Sequence, residues 1–98
     1  MSMERQQVLK RLNVVISGRV QGVGFRHHVV TNAERLELTG WVKNRPDGRV
    51  EAEFQGEDTA VEQMVDICRQ GPPGAWVSDI ETTNMPLSEE EESFRVTG

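Results

Sequence analysis

The chain has a single cysteine, Cys68, so it cannot form an internal disulfide, which is the habit of a protein from a reducing compartment. No run approaches the ~20 apolar residues of a membrane span. No apolar h-region marks the N-terminal end as a signal peptide, so a cytoplasmic protein without membrane association is expected. Basic residues are the minority, 11 against 16 acidic, for a net charge of −5. That balance argues against nucleic acid as the main partner. The sequence contains no spacing of His, Cys, Asp and Glu that would make a metal cluster, and no internal repeat or linker. Ninety-eight residues without a break suit one domain over residues 1–98, with 1–7 a polar, frayed lead-in.

The most distinctive stretch present is Gly18-Arg19-Val20-Gln21-Gly22-Val23-Gly24-Phe25-Arg26. The strand expected before it spans 8–17, with Leu12, Val14 and Ile16 on one face and Val15 on the other. The helix expected after it spans 25–36, with the stripe Phe25, Val29, Ala33 and Leu36 and no glycine or proline to mark its end near Glu37. Three glycines between a strand and a helix that opens on arginine describe an anion site, most simply for phosphate. A nucleotide loop of the Walker type is excluded, because no Gly-Lys-Ser/Thr closes it. A dinucleotide fingerprint fails too, since His27 stands where the third glycine belongs.

Further strands are expected at 39–43, 50–55 and 76–83, with a short one possible at 94–97. Asn44-Arg45-Pro46-Asp47-Gly48 is a hairpin turn between the second and third. The third strand alternates, with Val50, Ala52 and Phe54 inward and Glu51, Glu53 and Gln55 outward. The fourth alternates imperfectly, as a bulge would make it. Val61, Met64, Val65 and Cys68 give a second amphipathic helix, ended by Gly71-Pro72-Pro73-Gly74. Residues 86–92, with the acidic run Glu89 to Glu92, suit a solvated loop. Trp41 and Trp76 are assigned to packing, and Cys68 to the core as a small hydrophobe.

The order β-α-β-β-α-β implies a ferredoxin-like α+β sandwich: a mainly antiparallel sheet of core order 4-1-3-2 with both helices on one face. A β-α-β unit runs its two strands in the same direction. The glycine loop and Asn44 therefore lie at one end of the sheet, roughly 10 Å apart, being two strand spacings of ~4.8 Å. Arg26 and Asn44 can close most of that gap around a phosphate and a water.

The glycine loop, followed by Gly40-Trp41-Val42-Lys43-Asn44, resembles the acylphosphatase family. Pro46-Asp47-Gly48, Val50-Glu51 and Gly71-Pro72-Pro73 extend the likeness over about residues 14–94. The resemblance implies metal-free, cofactor-free hydrolysis of the carboxyl-phosphate bond of a small-molecule acyl phosphate. It makes Arg26 the phosphate-binding arginine and the backbone amides of Arg19, Val20, Gln21, Gly22, Val23, Gly24 and Phe25 the phosphate cradle. Asn44 would position the attacking water. The chain departs from the family pattern at Glu37, where a glycine is usual, and in the pair His27-His28.

So small a set of groups suits this reaction. The leaving group is a carboxylate, whose conjugate acid has a pKa of ~4, so it departs without a general acid. Phosphoryl transfer then needs mostly alignment and charge stabilisation. The alternatives are a non-catalytic module of the same fold that binds phosphate or carbamoyl phosphate, and a nucleic-acid binder using the sheet face. Glu51 and Glu53 on that face oppose the second of these. His27 and His28 are adjacent and diverge by ~100° on a helix, so they do not share an ion; solvated positions are expected, the alternative being that one of them lies near the site mouth. A monomer is expected.

Overall fold

The computed structural model describes residues 8–98; the lead-in at 1–7 lies outside the described residues. Five strands and two helices follow in order: β1 Leu9–Arg19, α1 Phe25–Arg35, β2 Thr39–Asn44, β3 Val50–Glu57, α2 Asp58–Gln70, β4 Trp76–Asn84 and β5 Phe94–Val96. The sheet order is β4-β1-β3-β2-β5. The expected 4-1-3-2 core is present, and the short last strand adds to the β2 edge. Among the described residues no helix is long and apolar enough to cross a membrane.

Pattern accounts for the layering. Leu12, Val14 and Ile16 of β1, Val42 of β2 and Val50, Ala52 and Phe54 of β3 are buried, and so are Val29 and Ala33 of α1 and Val61, Met64 and Cys68 of α2. Each valine, leucine, isoleucine, phenylalanine or methionine among them contributes ~1.5–3 kcal/mol when fully taken from water, so the period-2 and period-3.6 stripes dominate the choice of fold. Burial also pushes the Cys68 thiol up to about 12, consistent with a packing role. Phe94 carries β5 into the same core by stacking on Phe54, with ring centroids 5.5 Å apart.

β1 runs two residues further than expected, because its ladder with β4 continues to Arg19 opposite Trp76. Its register slips between Ser17 and Gly18, the irregularity that the poor alternation of β4 foreshadowed. A Cβ at Gly18 would collide with the Trp76 carbonyl, so glycine is required there by close strand approach. Trp76 itself is 68% exposed, which corrects its assignment to packing. It heads an edge strand, and what the fold holds tightly is its backbone against Gly18.

The outward face of the sheet is not bare either. Arg11 and Glu53 are buried, although the alternation of β3 turns Glu53 outward. Residues 85–93 cross it as a strap from β4 to β5. The Glu91 carboxylate accepts from Arg11 Nη1 and Nη2 at 2.6 and 3.1 Å, and Glu53 accepts from Arg11 Nε at 2.7 Å. Ser88 exchanges two 2.8 Å hydrogen bonds with the Gln55 carboxamide. The expected solvated loop is therefore fastened at two points.

β1 is antiparallel to β3, β3 is antiparallel to β2, and β2 is parallel to β5. So β1, β2 and β5 all deliver their C-terminal ends to one end of the sheet. That end holds the site.

Candidate active site

Three segments meet there. The loop after β1 supplies Val20, Gly22, Gly24 and, at the start of α1, Phe25, Arg26 and His27. β2 supplies Asn44 and β5 supplies Val96. With Val30 of α1 these residues line a cavity of about 430 Å³. The structure thus brings Arg26 and Asn44 together with the glycines. Sequence reasoning missed Val96, because a three-residue strand carries almost no periodic signal, and Val30, which reads as part of the helix's apolar stripe.

The loop backbone is built for close approach. Gly22 and Gly24 have φ of 74° and 77°, in the left-handed region that glycine occupies without strain. Gly24 is the N-cap of α1, where no side chain caps the helix and no acidic residue stands in the first turn. α2 differs, with Asp58 in its first turn accepting from the Thr59 N–H at 2.8 Å. The first N–H groups of α1 therefore remain available to an anion, with the helix dipole favouring negative charge.

The remaining loop residues have other tasks. Val20 is buried and Val23 packs against the core, so they anchor the loop. Gln21 turns to the hairpin, where its Nε2 donates to the carbonyls of Arg45 at 2.8 Å and Arg49 at 2.9 Å. The hairpin is closed by the Arg45 N–H to the Arg49 carbonyl at 2.8 Å and the Gly48 N–H to Arg45 at 3.1 Å. Asp47 adds a bond from the Arg49 N–H at 3.1 Å, and the Arg49 side chain holds its carboxyl below the usual range. Arg19, by contrast, is exposed at the end of β1 and does not line the cavity.

Arg26 Nη1 donates to the backbone oxygen of Gly98, and the Asn44 N–H donates to that same oxygen at 3.4 Å. One oxygen atom is thereby shared between the Arg26 side chain and the Asn44 main chain, from the two residues that topology put on opposite sides of the gap. His27 is exposed on the cavity wall, whereas His28 is half-buried, edge-on to Phe25 with centroids 6.4 Å apart. Burial, and secondly the charge of His27, lowers the His28 pKa. Among the described residues no three His, Cys, Asp or Glu side chains converge to hold a metal ion.

The acylphosphatase family model matches residues 12–96. An acylphosphatase of Rubrobacter xylanophilus is 49% identical over 94 residues, covering 96% of this chain and 86% of its own. Another, of Trichormus variabilis, is 56% identical over 75 residues, covering 76% and 74%. The crystal structure of acylphosphatase from Bacillus subtilis superposes with a TM-score of 0.87 at 38% identity, covering 93% of this chain and all of that one. With a family model over most of its length and relatives near half identity, the chain belongs to the acylphosphatase family.

Proposed function

We propose that the protein hydrolyses the carboxyl-phosphate bond of small acyl phosphates, using Arg26 and the loop amides to hold the phosphoryl group and Asn44 to place water. The amides around Gly22 and Gly24 and the guanidinium of Arg26 meet the non-bridging oxygens, where charge must be held as the phosphoryl group transfers. The Asn44 carboxamide orients a water in line with the departing oxygen. The water oxygen bonds to phosphorus, the bond from phosphorus to the carboxyl oxygen breaks, and its electron pair leaves on the carboxylate. One water proton stays on the new phosphate oxygen and the other passes to a phosphate oxygen, so an acyl phosphate dianion and water give a carboxylate and monobasic phosphate.

The observation that most supports this reading is the single oxygen held by both Arg26 and the Asn44 backbone. A phosphoryl oxygen in that place would receive a charged hydrogen bond from Arg26 and a second bond from the Asn44 N–H, in the cavity that Asn44 helps to line. Gln21 acts through the backbone, tying the loop to the hairpin that begins after Asn44. The test is phosphate release from benzoyl phosphate. Arg26→Ala should lower kcat/KM by about a hundredfold or more. Asn44→Ala should lower kcat by about a hundredfold and change KM only severalfold, because it acts on alignment. Phosphate binding through Arg26 without turnover would favour a non-catalytic binding module instead, and turnover unchanged in Arg26→Ala would remove the proposed role of the loop.

A further inference from the structure

The phosphoryl group accounts for Arg26, Asn44 and the loop amides, but the cavity continues beyond them. His27 and Val30 are three residues apart on α1 and so share one helical face, along one wall. Val96 of β5 lines the cavity as well, although 52% of it is exposed. Among the described residues no Asp or Glu side chain lines the cavity, in a chain whose net charge is −5. The cavity that holds the phosphate site is therefore also walled by two valines and an exposed imidazole, which an acyl group can meet.

We propose that His27 is a specificity-determining residue that recognises a second anionic group on the acyl portion of the substrate. This rests on the hydrolase reading above. The preferred class would be acyl phosphates whose short apolar acyl group ends in a carboxylate. The valines take the hydrocarbon, and His27, when protonated, takes the charge. The neighbouring charges do not supply this contact. α1 packs against β2, β5 and α2. Those elements bring Lys43, Arg95, Asp58, Glu62, Asp66 and Arg69, none of which lines the cavity. On α1 itself Arg26 is used by the phosphoryl group, and His28 is turned against Phe25.

The test compares 3- and 4-carboxybenzoyl phosphate with 4-methylbenzoyl phosphate, as a ratio of kcat/KM. The rigid ring keeps the carboxylate from attacking its own acyl phosphate, and effects on the shared phosphoryl chemistry cancel in the ratio. Measurements are made at about pH 5.5 and about pH 8, and the aromatic carboxylate stays ionised at both. The ratio for one of the isomers should be about two- to fivefold higher at the lower pH, as expected for a solvent-accessible charge pair. His27→Gln should flatten it at the lower value, and His27→Lys should hold it at the higher value at both pH values. His28→Gln should leave the pH dependence in place. A ratio that ignores pH and His27→Gln while 4-methylbenzoyl phosphate still turns over overturns this proposal alone, as does a pH dependence that survives His27→Gln. No turnover of any of these substrates overturns the hydrolase reading, and this one with it.

Discussion

Gln21 and Arg45 stand 24 residues apart, yet the Gln21 carboxamide donates to the Arg45 carbonyl at 2.8 Å, one residue beyond Asn44. A second bond from the same nitrogen, to Arg49 at 2.9 Å, fixes the rotamer. The two halves of the site are thus fastened to each other by one side chain. Gln21→Met keeps the length and removes both donors. Two hydrogen bonds at ~1 kcal/mol each give an expected loss of about 1–2 kcal/mol in urea unfolding. The larger effect should be on alignment, with kcat/KM for benzoyl phosphate falling about tenfold or more. Equal kcat/KM in a protein that has lost stability would show that the bond serves only the fold.

The end of α1 carries a residue of the wrong type for its backbone. Glu37 has φ of 59°, the only non-glycine among the described residues with positive φ. Its N–H bonds to Glu34 at 3.0 Å and that of Leu38 bonds to Ala33 at 2.9 Å, which is the Schellman pattern that glycine usually closes. Buried Leu38 supplies the apolar contact and holds the turn despite the side chain. The left-handed region costs an L-residue ~1–2 kcal/mol. After the extra freedom of the unfolded glycine is subtracted, Glu37→Gly should stabilise the protein by about 0.5–1 kcal/mol and raise Tm by a few degrees. A drop in Tm would mean that the Glu37 side chain makes a compensating contact.

These two residues show where the sequence was informative. The glycine loop, the arginine after it and Asn44 could be placed together because strand order follows from β-α-β-β-α-β and fixes which strand ends coincide. Glu37 was visible as a departure from the glycine that the resemblance places at the helix end, but not the turn that holds it there. Gln21 gave no signal: a glutamine among glycines does not disclose which distant carbonyl it will meet. Trp76 misled because its bulk suggests a core residue, whereas it heads an edge strand. The strap was opaque for a related reason: Glu91 lies 80 residues from Arg11 within a run of four acids, any one of which could have faced water.

His28 gives the pH dependence its sign. Its folded pKa is lowered from 6.5, first by burial and then by His27. Between that ordinary value and the lower folded one, the unfolded chain binds more protons than the folded chain. Stability from this group is therefore fully present above about pH 6.5 and is lost as pH falls through the folded pKa. Urea midpoints measured from about pH 7.5 down to about pH 5 should decline, and His28→Gln should make the decline shallower. An unchanged slope in His28→Gln would assign the acid sensitivity to other groups.

Arg11 and Glu91 join the strap to the sheet, and the strap leads into β5, which brings Val96 to the cavity. Both side chains are largely withdrawn from water, at 7% and 15% exposure, and Glu53 completes the group at 12%. The Glu91 hydrogen bond, ahead of the opposing effect of burial, holds the Arg11 guanidinium above its usual pKa, so the cation is present at every accessible pH. Removing it leaves two carboxylates near each other in a poorly solvated place. Arg11→Met should cost about 3 kcal/mol or more, within the range for breaking a buried pair. Glu91→Gln keeps an acceptor and leaves Glu53 on Arg11, so about 1–2 kcal/mol is expected. Phe94, stacked on Phe54, gives β5 a second anchor, so Glu91→Gln should loosen Val96 without releasing the strand. KM for benzoyl phosphate should then rise a few-fold while kcat holds, since Arg26 and Asn44 are set by other elements. The variant that separates the two anchors is Phe94→Leu. If it raises KM while Glu91→Gln does not, the core alone positions β5 and the strap contributes stability only.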